Sequence, residues 1–225
     1  KKKKNSISLF ATIKNLNATK YLGGGSVSSQ TFPGYLADFR LIKGSVPSGY
    51  QTSSTTAGTR VFTPPTDPVS NVTNTVTLMQ FDEAAIVDKS QMIEKINVYG
   101  NVKSSNAQTK NSSTSIAFDG SGDHLYFDSY NHVPNRVAGT DFTIEFWIYL
   151  NNISAEQNIL ETGTFSASAG WTIYILGSSG RLDMYPNHTN LTTLSAQTWY
   201  HVAIENFGGT IKCFIDGTST YFFFF

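Results

Sequence analysis

Apolar and polar residues alternate over nine positions in Phe142-Thr-Ile-Glu-Phe-Trp-Ile-Tyr-Leu150, with Phe142, Ile144, Phe146 and Ile148 on one side and Thr143, Glu145, Trp147 and Tyr149 on the other. A period of two marks a β-strand that buries one face, because successive side chains leave the pleat in opposite directions. The same alternation runs through Thr198-Trp-Tyr-His-Val-Ala-Ile204, and a Gly208-Gly209 turn carries the chain into Ile211-Lys-Cys-Phe-Ile-Asp-Gly217. Further strands are predicted over 8–14, 34–42, 76–81, within 93–102, and over 115–118, 124–128, 171–176 and 181–185. Segments 115–118 and 124–128 flank Asp119-Gly-Ser-Gly122, a hairpin signal. In 34–42, strict alternation puts Tyr35, Ala37, Phe39 and Leu41 on one face and Leu36, Asp38, Arg40 and Ile42 on the other. No segment sustains a helical period, so the predicted fold is all-β, an antiparallel β-sandwich.

Between these strands, Ser45 to Arg60 is rich in Ser, Thr and Gly and poor in apolar residues, and Phe62-Thr-Pro-Pro-Thr-Asp-Pro68 follows as a stiff extended segment. The pair reads as a linker or a long surface connection. The homopolymer ends, Lys1 to Lys4 and Phe222 to Phe225, carry no pattern.

Composition narrows the function classes. Sixteen basic residues balance sixteen acidic ones and only 14% of residues are charged, so no global field attracts nucleic acid or an anionic bilayer. The surface must be made polar by Ser, Thr, Asn and Gly, which points to an extracellular or virion-surface protein. Cys213 is the one cysteine, which excludes an intrachain disulfide and a thiolate metal cluster. Its alternation with Ile211 and Ile215 predicts a small core residue. No apolar run reaches the roughly 18–20 residues of a membrane helix, so membrane insertion is not expected.

Five pieces, SIAFDGSGDHLYF (115–127), DFTIEFWIYL (141–150), GWTIYIL (170–176), TWYHVAI (198–204) and KCFIDG (212–217), together resemble the laminin G-like, concanavalin A-like jelly-roll repeats of phage and marine microbial surface proteins. The resemblance implies a concanavalin A-like jelly roll. It also makes 34–44 similar to the closing strand that follows the Phe-Ile-Asp-Gly strand in such repeats. The implied division is 1–60 as closing strands plus a polar connection, 61–75 as a Pro-rich joint, 76–221 as most of a sandwich, and 222–225 as a tail. The order of pieces leaves three arrangements open. Residues 6 to 44 close their own sandwich as in a circular permutation, they complete a neighbouring subunit by strand addition, or the chain is a window on a longer protein.

Related sandwiches include retaining glucanases, whose two carboxylates stand about 5–5.5 Å apart. Glu145 has Thr143 and Trp147 as same-face neighbours on its strand, and the adjacent Asp82 and Glu83 point opposite ways. The four histidines, His124, His132, His188 and His201, lack metal-ligand spacing. No catalytic residue is therefore assigned, and the expectation is a non-enzyme. Two binding chemistries are candidates. Asp119 and Asp123 on one turn, with Asp128 nearby, suit calcium, although Asp-Gly is also ordinary hairpin chemistry. Trp147, Tyr149, Tyr174 and Tyr185 are candidate stacking residues for sugar rings, or else fill a second packed layer. The expected role is a structural and adhesive module of a virion fibre, capsid decoration or extracellular filament. Its partners would be copies of itself or other structural subunits, together with polysaccharide. The alternatives are a monomeric lectin-like module and a glycan hydrolase without the usual carboxylate pair.

Overall fold

In the computed structural model, residues 20–25, 30–52, 56–82, 85–93, 95–127, 140–162, 172–185 and 189–224 are described; the predicted strand over 8–14 lies outside them. Among the described residues every regular element is a strand: β1 (Lys20–Leu22), β2 (Pro33–Lys43), β3 (Thr75–Met79), β4 (Ile96–Tyr99), β5 (Lys103–Ser105), β6 (Ser115–Asp119), β7 (His124–Phe127), β8 (Phe142–Leu150), β9 (Gln157–Thr162), β10 (Thr172–Leu176), β11 (Arg181–Tyr185), β12 (Thr189–Thr193), β13 (Trp199–Phe207), β14 (Thr210–Ile215) and β15 (Thr218–Phe224). They form two antiparallel sheets. One runs β12-β11-β10-β9-β1-β7-β4 and the other β15-β14-β13-β8-β2-β6-β5.

The apolar face of β8 makes the middle of the core. Phe142, Ile144, Phe146, Ile148 and Leu150 pack with Val202 and Ile204 of β13, Ile211 and Cys213 of β14, and Ile173, Ile175 and Leu182 of the facing sheet. Cys213 has no exposed surface, and burial pushes its thiol up to about 12, consistent with a packing role.

Residues from early in the chain take internal places in both sheets. β1 lies between β7 and β9, and β2 lies between β8 and β6. β2 is eleven residues long and changes partner along one side: Pro33–Leu36 pair with β6, and Phe39–Ile42 pair with β3.

The change of partner coincides with a break in register. Ala37 pairs with Trp147 and Arg40 with Glu145, so two residues of β2, Asp38 and Phe39, stand opposite Phe146 alone. This is a β-bulge, and Asp38 takes the left-handed conformation (φ 53°) that Asp tolerates better than most residues. The bulge corrects the strict alternation predicted for this strand. Leu36, Phe39 and Leu41 enter the core together, while Arg40 turns to the opposite face beside Glu145.

That opposite face of the eight-stranded sheet is not bare. The described parts of the connection between Gly44 and Val72 lie across it as a strap, burying Val46 and Tyr50 against Ala203 and Phe214, with Phe62 packed alongside. The Phe62 ring stacks on Tyr50 at 4.0 Å and meets Phe214 and His201 edge-on. Backbone hydrogen bonds tie the strap to the β14–β15 turn: Val61 N–H donates to the Gly217 carbonyl and Ser219 N–H donates to that of Thr59. Gly217 (φ 78°) is required there, because a Cβ would run into the Phe62 carbonyl.

Candidate binding site

Beneath the strap sits a buried carboxylate. Glu145 has no exposed surface, and one oxygen, Oε1, accepts from Arg40 Nε at 2.7 Å and is paired with the rest of the guanidinium. The other, Oε2, accepts from the Tyr50 hydroxyl at 2.6 Å and lies 3.2 Å from His201 Nε2. Burial alone would raise the carboxyl, but the His201 hydrogen bond, the Arg40 charge and the Tyr50 hydroxyl outweigh it and hold Glu145 below its ordinary value. Burial likewise pushes the Tyr50 phenol up, so it stays a hydrogen-bond donor. The partners of Glu145 come from β2, the strap and β13, across strands rather than along its own.

Two more buried acids share this side of the sheet. Asp38 Oδ2 accepts from the Asn111 amide at 2.8 Å, while its Oδ1 is buried without a partner. Glu205 has no hydrogen bond to either oxygen, and Lys212 Nζ stands 3.9 Å from Oε1. Burial pushes both carboxyls up to about 7.

Next to this network a groove of about 560 Å³ opens between the strap and the loop that joins β5 to β6. Trp147 and Trp199 line it from the sheet, Arg60 and Pro64 from the strap, Lys110 from the loop, and Asp216 from the β14–β15 turn. Lys110 Nζ sits 4.1 Å above the Trp147 ring, and His201 meets that ring edge-on at 5.1 Å. Trp147 is only 5% exposed, and its indole Nε1 is buried without a hydrogen-bond partner. Trp199 is half-buried and leans on Tyr149, its cross-strand partner, at 5.6 Å. Asp216 Oδ1 accepts from the His201 backbone N–H at 2.9 Å.

The four candidate stacking aromatics are divided between the sheets. Trp147 and Tyr149 are on β8, whereas Tyr174 and Tyr185 are on β10 and β11 of the other sheet. Tyr174 is 2% exposed and its hydroxyl donates to Asp183 Oδ2 at 3.3 Å. Lys110 covers one face of the Trp147 indole and His201 meets it edge-on, so among the described residues the indole open to stack a ligand beside the groove is Trp199, which the four candidates omitted. Its place in the Trp199-Tyr200-His201 alternation, opposite the core, was the available signal.

Asp119 and Asp123 serve the backbone. Asp123 accepts from the N–H groups of Asn101 (2.8 Å) and Asp119 (2.9 Å), one on each oxygen, and Asp119 accepts from Ser121 N–H at 2.7 Å. Asp123 thereby fastens two turns together. Asp128 lies outside the described residues, and among those described no three His, Cys, Asp or Glu side chains cluster to hold a metal ion.

Two antiparallel sheets with a packed apolar interior define an all-β sandwich. Residues 119–221, from the Asp119 turn into β15, match the laminin G-like model of the concanavalin A-like lectin/glucanases superfamily. No curated protein and no solved structure matches the chain. The matched stretch contains Glu145, Trp147, Trp199 and Asp216; Arg40, Tyr50, Arg60 and Lys110 come from outside it.

Proposed function

We propose that this β-sandwich is a non-enzymatic carbohydrate-binding module that mediates adhesion at a cell or virion surface, with the Trp199 groove as its saccharide site. The observation that carries this reading is the half-buried Trp199 ring beside an open groove with Lys110, Arg60 and Asp216 around it. An aromatic face with a few polar groups set around it is the chemistry that holds a sugar ring, since the ring offers both C–H and hydroxyl surfaces. The superfamily match over residues 119–221 agrees with a lectin-like role.

A non-enzymatic role is favoured by the state of Glu145. Both of its oxygens are already engaged by a guanidinium, a phenol and an imidazole, whereas retaining hydrolysis needs a second carboxyl about 5–5.5 Å away and a free nucleophile. Assembly through strand exchange is disfavoured by the in-chain position of β2 between β8 and β6.

A glycan array probed with the whole chain tests the reading. Binding to a defined saccharide class that Trp199→Ala abolishes while the melting temperature holds is the expected result. Binding that survives Trp199→Ala, or hydrolysis of a bound polysaccharide that Glu145→Gln removes, overturns it.

A further inference from the structure

The lining of the groove is unbalanced in one respect that an ordinary neutral sugar does not explain. Arg60 and Lys110 are both exposed, and neither forms a salt bridge among the described residues. Among the described lining residues the single carboxylate, Asp216, is partly occupied by the His201 backbone N–H.

We infer that this groove holds the negatively charged group of an acidic saccharide, a carboxylate or a sulfate ester, between Lys110 and Arg60. The inference rests on the reading of the groove as a saccharide site and adds the class of saccharide. Lys110 is held in place for this by its position 4.1 Å over the indole ring, which restrains a side chain that would otherwise lose more freedom on binding. Arg60 is restrained through its backbone, which bridges to Thr218 of β15. Both cations come from segments outside the superfamily match, so the charge of the groove is a property of this chain's strap and β5–β6 loop. Asp216 leaves one net positive charge on the lining and supplies an acceptor for a sugar hydroxyl.

The test compares matched ligands by calorimetry on the whole chain: an oligogalacturonide, the same oligomer fully methyl-esterified, and sulfated and unsulfated forms of one galactan oligomer. Charge-assisted hydrogen bonds are about twice as strong as neutral ones, so the acidic member of at least one pair should bind about tenfold more tightly. In Arg60→Gln/Lys110→Gln that ratio should fall toward unity, with the melting temperature unchanged because both side chains are exposed. A preference confined to the uronate identifies a sugar acid, and one confined to the sulfated oligomer identifies a sulfate ester; either supports the inference. Equal affinity for charged and neutral members overturns it and leaves the carbohydrate-binding reading standing. No binding of any of the four, with none on a glycan array, overturns both.

Discussion

Arg40 faces Glu145 across β2 and β8 because the Asp38 bulge inserts one residue ahead of it. Without the insertion, the phase that carries Leu36 into the core would carry Arg40 there as well. The bulge therefore does two things at once: it keeps Phe39 and Leu41 in the core and delivers a guanidinium to a fully buried carboxylate.

This pairing makes Arg40→Ala costly. It leaves Glu145 buried without its guanidinium partner, a situation that destabilises by about 3–5 kcal/mol. Urea unfolding should show that loss, and the double variant Arg40→Met/Glu145→Leu should regain part of it, since the apolar pair removes the uncompensated charge while the Tyr50 hydroxyl and His201 lose their acceptor. A double variant as unstable as the single one would contradict the assignment.

Tyr50→Phe probes the strap's grip on the same carboxylate. It keeps the ring stacked on Phe62 and removes only the hydroxyl donor, so a loss of about 1.5–3 kcal/mol is expected for a hydrogen bond to a charged group. Limited proteolysis should then cut earliest within residues 44–72. Unchanged stability would mean that the hydroxyl does not contribute to holding the strap.

Stability should fall as pH rises from about 4 to about 7. Asp38 and Glu205 have folded values raised to about 7 by burial, above the ordinary carboxyl range near 4. In that window the native state keeps protons that the unfolded chain has released, so raising the pH favours unfolding. Glu145 acts in the opposite sense, since its lowered value withdraws stability only under more acid conditions. Thermal melts should decline from about pH 4 toward about pH 7, and Asp38→Asn/Glu205→Gln should flatten that decline. At this chain length each kcal/mol of the effect moves the melting temperature by about 2–4 °C. A melting temperature that climbs steadily from pH 5 to pH 7.5 would contradict the placement of these carboxyls.

Two glycines separate backbone strain from strap contact. Gly208 (φ 58°) has open space around its missing Cβ, so Gly208→Ala should cost about 1–2 kcal/mol from the left-handed conformation alone. Gly217→Ala adds a collision with the Phe62 carbonyl and should cost clearly more. Equal losses in parallel denaturation curves would show that the strap does not press on that turn.

The strands themselves were legible in the sequence because they bury one face. β8 occupies the residues that its alternation predicts, and the core side of β13 and β14 follows likewise. What stayed hidden is non-local. A bulge leaves no mark on a pattern of two, so the sidedness of Arg40 was read with the wrong neighbours. The strap looked like a polar connection because its buried anchors, Val46, Tyr50 and Phe62, are few and widely spaced. Glu145 appeared unpartnered because its partners lie 56, 95 and 105 residues away. Trp199 and Trp147 have the same residue type and face, and only their packing distinguishes an available indole from one already capped by Lys110.

The place of β2 has a consequence for how the polypeptide reaches its shape during synthesis. β2 is made early, yet its β8 partner follows roughly one hundred residues later, from the Lys43–Phe142 pair to the Gly34–Leu150 pair. Closing so long a segment is slow compared with local hairpins such as β13–β14. At about 5–20 residues per second, a nascent chain spends several seconds with the side of β2 that will meet β8 still unpaired. During that interval the apolar edge is open to other nascent chains, so expression yield should depend on chaperone supply and temperature more steeply than the stability of the finished sandwich would suggest.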